Sequence, residues 1–167
     1  MLAKHLLASP ANRLEGLPAS FYGPDAELAA VDTLENHLAL LDEALAGAAE
    51  RLTIVSPLAG HGLPSDATLH RLPEIARRGI RVSIVSDCEI ADGGVPLAAS
   101  LRAHSIEWCV AGTIFASALA VDGSALYEGS FAWLGAPGPS RAGKGWLARG
   151  PGAARAADEL RRYYASA

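Results

Sequence analysis

"FASALAVDGSALYEGSFAWLG" (residues 115–135) is the stretch that decides the fold class. Two apolar runs, 113–122 and 124–130, meet around Asp122-Gly123. An Asp-Gly pair between such runs is a strong signal for a tight β-hairpin turn. A hairpin makes its two strands antiparallel, so any sheet that contains it cannot be purely parallel.

Working outward, three further runs read as strands. They are "RLTIVSP" (51–57), "IRVSIVSD" (80–87) and "IEWCVA" (106–111). Helical patterns separate them. Residues 25–50 are expected to be helical throughout, because Leu34, Leu38, Leu41 and Leu45 recur at spacings of three and four. A second helix is expected over 67–78, stopped by Gly79, with Pro73 expected to kink or split it. "PLAASLRAHS" (96–105) is a third. After a Pro/Gly loop from Gly135, "GWLARG" (145–150) reads as a short strand and "AARAADELRRYYAS" (153–166) as a closing helix. Strands alternating with helices define an α/β protein. The expectation is a three-layer α/β/α sandwich whose sheet is mixed. In such folds function gathers in the loops after strand C-termini. Here those loops begin at Ser56, Asp87, Asp122 and Ser130. Residues 1–24, with Pro10, Pro18 and Pro24, read as an arm or linker, and 25–167 as the domain.

Composition narrows the classes. Of 167 residues half are hydrophobic and 19% charged, which fits one globular domain. No apolar run reaches the ~18 residues of a membrane span. The start "MLAKHLLASPANRLEG" lacks a convincing signal-peptide apolar region, so a soluble cytoplasmic chain is expected. Cys88 and Cys109 end apolar runs without metal-site spacing and are expected to be buried thiols. No cofactor and no metal are expected. The net charge of −4 argues against a protein that grips duplex nucleic acid with its whole surface. The tail from Arg141 is nevertheless basic, and either a local basic face or a helix laced with i,i+3 and i,i+4 ion pairs explains it.

Two motif-like stretches are decoys. "GPSRAGKG" (138–145) nearly spells a P-loop, but Gly145 stands where Ser or Thr would hold magnesium, and no long helix starts there. "GHG" (60–62) follows a strand, but Ser65 takes the place of the third glycine of a dinucleotide loop. Among the histidines, His37 and His70 lie on helices and read as surface or satisfied core residues. His61, in a loop after a strand, is the most site-like.

The opening stretch resembles the phospholipase D-like superfamily, whose signature is H-x-K-x4-D-x6-G-S-x-N. With Asp122 on the signature Asp, Gly129 and Ser130 fall on Gly-Ser, while Phe115, Ser117 and Ala132 fall on His, Lys and Asn. The order of elements over roughly 25–165 is also similar. "GSFAWL" looks like the "GSFNWL" of bacterial phospholipase D-like domains associated with DNA helicases, nucleases and mobile elements. The resemblance implies a phosphodiesterase scaffold in which one motif faces another from a second domain or subunit. In active members one His attacks phosphorus, the other protonates the leaving oxygen, and lysines and asparagines hold the phosphate. Phe115 offers no lone pair or proton, Ser117 no positive charge and Ala132 no hydrogen-bonding side chain.

Three functions follow as expectations. The first is a catalytically inactive module for nucleic-acid binding or assembly in a bacterial DNA-processing system. Its binding candidates are His61, Arg141, Lys144 and Arg149, with Trp133 and Trp146 either stacking on bases or anchoring the core. The second is a nonstandard phosphodiesterase or nuclease that rebuilds a site around Ser130 from His61, Asp87, Cys88, Glu89 or Glu128. The third is a structural dimerisation module, in which a more apolar motif face pairs two copies. The expected partners are thus a larger protein assembly or a second copy, with weak nucleic-acid binding and no membrane.

Overall fold

The computed structural model describes residues 22, 24–58, 66–88, 91–92, 95–111, 114, 116–134 and 143–165. The strands are β1 (Glu27–Val31), β2 (Arg51–Val55), β3 (Arg81–Ser86), β4 (Ala91–Asp92), β5 (Val95–Pro96), β6 (Glu107–Val110), β7 (Ser117–Val121), β8 (Ala125–Gly129) and β9 (Gly145–Arg149). The helices are α1 (Leu34–Gly47), α2 (Asp66–Arg77), α3 (Leu97–Arg102) and α4 (Pro151–Ala165). Seven strands form one sheet in the order β1-β9-β8-β7-β2-β3-β6, and β4 and β5 pair separately. β2, β3 and β6 run parallel, whereas β7 joins β2 antiparallel and starts an antiparallel half through β8, β9 and β1. This is the mixed α/β sheet expected from the sequence.

Alternation along the strands sorts the core onto two faces. Leu52, Ile54, Val82, Ile84, Trp108 and Leu119 point to one side, where α1, α2 and α3 cover them with Leu41, Leu45, Leu72, Ile75 and Leu101. Val55, Val85, Ala118, Ala120, Leu126 and Ala148 point to the other, against Ala153, Ala156, Ala157 and Leu160 of α4. Tyr22, 4% exposed, joins this second cluster.

Residues 25–50 are not one helix. Glu27–Val31 is a strand because it pairs with β9 along its length, from Glu27↔Arg149 to Val31↔Gly145. α1 starts only after Thr33, whose hydroxyl caps it by accepting the Asn36 N–H at 3.1 Å. α2 runs unbroken through Pro73. Cys88 and Cys109 are half-buried rather than buried, since Cys88 lies in the loop after β3 and Cys109 on the thinly covered side of β6. Among the described residues no helix is long and apolar enough to cross a membrane.

The hairpin turn forms as the Asp-Gly pair demands. Asp122 and Gly123 both have positive φ (51° and 67°), and Ser124 N donates to Val121 O at 2.9 Å. The Asp122 side chain does more than tolerate the turn. Its Oδ1 accepts the N–H groups of Glu50 (2.8 Å) and Arg51 (2.7 Å), and its Oδ2 accepts that of Ala49 (2.9 Å). Burial works to raise its pKa, but these three donors outweigh it and hold the carboxyl below its usual range. Asp122→Ala removes the acceptor from three backbone donors and strains a position of positive φ. Hydrogen bonds to charged groups suggest a loss of about 2–4 kcal/mol, measured by urea denaturation. Asp122→Asn, which tolerates the same backbone and keeps one acceptor oxygen, is expected to lose less.

Candidate functional site

β7 runs opposite to β2, so the two ends of the hairpin lie on opposite edges of the sheet. Ser117 pairs with Gly129, and together with Ser130 they sit at the edge where the parallel strands end in Ser56, Ser86 and Asp87. Asp122 sits at the other edge, about 17 Å away at the rise of an extended strand. The loop at Asp122 therefore does not belong with those at Ser56, Asp87 and Ser130, as sequence order suggested. The antiparallel direction of β7 reverses it.

At the C-terminal edge the polar side chains are tied to the main chain. Ser130 Oγ accepts Lys144 N at 3.0 Å and donates to Lys144 O at 3.4 Å, while Ser130 N donates to the same oxygen at 3.0 Å. Ser56 Oγ accepts Leu134 N at 3.2 Å. Ser86 Oγ accepts Trp108 Nε1 at 2.8 Å and donates to Cys88 O at 2.8 Å. Asp87 Oδ1 accepts Leu58 N at 2.7 Å. Burial, then the charge and hydrogen bond of Asp87, push the Cys88 thiol up, which leaves it a poor nucleophile. Ser117 is 1% exposed, and its Oγ has no hydrogen-bond partner among the described residues.

Beside Ser117 lies an aromatic nest that sequence reasoning did not identify. Tyr127 lies along its own strand and β9. It occupies space left by Gly129 and Gly145, where any added Cβ would overlap its hydroxyl and come within 2.5 Å of a backbone oxygen. His37 from α1 is fully buried against it. The His37 ring stacks on Phe131 (centroids 4.4 Å apart), and Trp133 closes the nest edge-on to Tyr127 (4.6 Å) and Phe131 (5.1 Å). A carbonyl oxygen only accepts, so His37 Nδ1–H donates to Thr33 O at 2.7 Å. Nε2 then accepts the Tyr127 hydroxyl at 2.8 Å, and the Tyr127 oxygen accepts the Phe131 N–H. Mainly burial lowers the His37 pKa, opposed by the Thr33 carbonyl and by Asp32. His37 is thus a neutral, satisfied core residue. Two glycines in register beside a strand tyrosine were the available sequence signal.

The remaining candidates are spread out. Trp133 is 1% exposed and anchors the core, while Trp146 is half-buried on β9. His70 is exposed on α2. Arg149 pairs with Glu43 at 2.9 Å and Arg155 with Asp25 at 3.7 Å, while Arg161 pairs with Asp158, so ion pairs account for part of the basic tail. Glu128 accepts the Tyr22 hydroxyl on the far face. Lys144 is exposed, and Ala132 is buried. Phe115, His61, Glu89 and Arg141 lie outside the described residues. Among the described residues no three His, Cys, Asp or Glu side chains converge to hold a metal.

Sheet order, hairpin and flanking helices together give a mixed α/β fold like that of solved phospholipase D family structures. The chain superposes on a phospholipase D family member, Nuc from Salmonella typhimurium, with a TM-score of 0.61 at 15% identity, covering 85% of this chain and 95% of that one. For NucT from Helicobacter pylori the values are 0.60, 12%, 85% and 95%. For TrmBL2, an archaeal chromatin protein, they are 0.52, 10%, 83% and 52%. No protein-family model matches the sequence, and no curated protein does. At these identities the likeness is one of fold.

His37 sets a pH test. The unfolded chain takes up a proton near the ordinary imidazole pKa of about 6.5, and the folded chain resists it. The stability His37 contributes is therefore complete above that pH and lost as the pH falls below it. Thermal melts from pH 7.5 to 5 are expected to show falling stability. A His37→Gln variant is expected to be less stable at pH 7.5 but flatter across this window.

Proposed function

We propose that this chain is a catalytically inactive module of the phospholipase D-like fold, serving nucleic-acid binding or assembly in a bacterial DNA-processing system. The observation that carries this is the sealed Ser117. In the register of the phospholipase D-like signature it stands where a lysine would meet phosphate. Here it is a buried hydroxyl that carries no charge to counter a phosphate.

The other signature positions agree. Phe115 replaces the nucleophile in the sequence itself, and an aromatic ring cannot form a phosphoenzyme. Asp122 is engaged by three backbone amides at the opposite edge, and Ser130 is held between the main-chain groups of Lys144. His37, close to the motif, is shut in as a neutral imidazole and cannot reach a substrate. Phosphoryl transfer needs a nucleophile, an acid and cations at the transferring group, and the described motif residues supply none of them.

The nucleic-acid part draws on the company the fold keeps. Two of the similar structures carry nuclease-like names, and the third is a chromatin protein whose structure shows DNA binding. Hydrolysis of bis-p-nitrophenyl phosphate and of single- and double-stranded DNA is the test of inactivity. Rates at the buffer background, with and without chelator, are expected. Turnover abolished by Ser130→Ala would sink the inactive reading. A mobility shift at low salt is expected to show weak, salt-sensitive binding.

A further inference from the structure

The three crossover helices α1, α2 and α3 all pack on one face of the sheet. On the opposite face α4 lies over β8 and β9. Beyond α4, the first halves of β2 and β3 and the start of β6 line a groove of about 290 Å³. Its rim carries Arg51 and Arg81, its floor Thr53 and Ser83, and its sides Glu107 and Arg161.

Sheet register fixes this arrangement. Arg51 and Arg81 are direct partners on neighbouring parallel strands, about 4.8 Å apart. Like charges placed directly opposite one another repel. Yet among the described residues neither guanidinium is matched by a carboxylate, unlike those of Arg71, Arg149, Arg155 and Arg161. The next row inward is Thr53↔Ser83↔Glu107. Ser83 Oγ donates to Glu107 Oε2 at 3.1 Å, which occupies part of the one carboxylate lining the groove. Asp158 neutralises Arg161 from α4. Thr53 is 3% exposed, and its Oγ1 has no partner among the described residues. A buried hydroxyl without a hydrogen bond is rare in a native fold and asks for an explanation.

Two arginines in register and an unpartnered threonine hydroxyl line one groove, which is the donor set an anion needs. Arginine forks match the oxygens of a phosphate, and a threonine O–H can donate to a third oxygen. We propose that this groove binds the phosphate group of a nucleotide or nucleic-acid strand, with Arg51 and Arg81 on its oxygens and Thr53 beneath. The site lies on the face away from the aromatic nest. It rests on the nucleic-acid reading above for the choice of ligand, and it names the residues that would hold it.

The test is fluorescence anisotropy of a labelled twelve-nucleotide oligo(dT) with the full chain at low salt, and with dTMP and inorganic phosphate as separate competitors. Arg51→Gln and Arg81→Gln are each expected to weaken binding at least tenfold with the melting temperature unchanged. Glu107→Gln is expected to tighten it several-fold, a gain that misfolding cannot imitate. Thr53→Val is expected to weaken binding, and Thr53→Ser to retain it. Oligonucleotide binding that ignores Arg51, Arg81 and Glu107 overturns the groove and leaves the nucleic-acid reading standing. Binding of dTMP or phosphate through these arginines, without binding of oligo(dT), supports the groove as a nucleotide site and overturns that reading. Binding of no probe overturns both.

Discussion

Everything at the motif edge depends on the clamp that Asp122 makes at the other edge. β2 pairs in parallel with β3 on one side and antiparallel with β7 on the other. A slip of one residue between β2 and β7 would exchange the two faces, carrying Leu119 to the α4 side and Ala120 to the side covered by α1 and α2. The Asp122 carboxylate prevents that slip by gathering the amides of residues 49–51, while Asp122 N donates to Arg51 O at 2.9 Å. Its left-handed backbone is a cost that a turn Asp tolerates better than most residues. The acid of the signature spacing thus has a complete mechanical explanation, with its charge solvated by peptide dipoles.

With the register fixed, the far end of the hairpin is fixed too. Ser117 meets Gly129, and Gly129 meets Gly145, so Tyr127 can lie along two backbones that carry no side chain. That placement brings its hydroxyl to His37 and completes a chain from Thr33 O through the imidazole and the phenol to Phe131 N. A buried polar chain is favourable only when every member is paired, and this one is. The neighbouring Ser117 Oγ and Trp133 Nε1 are not. This edge of the sheet is a packed aromatic core in which two buried polar atoms lack partners among the described residues.

How much of this was legible in the sequence depends on the distance between cause and effect. β2, β3 and the hairpin were readable because β-branched runs and the Asp-Gly pair act locally. β1 was not. "ELAAV" has helix-favouring composition, and only its pairing with β9, distant in sequence, makes it a strand. The Asp122 clamp was hidden for the same reason, because its donors are backbone amides and backbone amides leave no trace in a sequence pattern. His37 showed only as one of two helical histidines, since its partner Tyr127 sits on a strand far along the chain. The spacing from Asp122 to Ser130 was readable, but not that these two residues fall on opposite edges of the sheet.

The polar side of the parallel strands follows from handedness. β2, β3 and β6 succeed one another in a single direction across the sheet. Right-handed crossovers then put every connecting helix on the same face. Parallel strands are normally apolar on both sides because helices cover both. β3 departs from that rule in its first half, where exposed Arg81 and half-buried Ser83 alternate with buried Val82 and Ile84, and β2 does the same with Arg51 and Thr53 against Leu52 and Ile54. At the other end of the same strands the pattern reverts, and Val55 and Val85 are apolar where they join the cluster under α4. The change from apolar to cationic falls where the α4-centred cluster ends. Side chains selected to lie under a helix would have stayed apolar along the whole strand. On this stretch the outward row of Arg51, Thr53, Arg81 and Ser83 is polar, and it lines the groove rather than the α4-centred cluster.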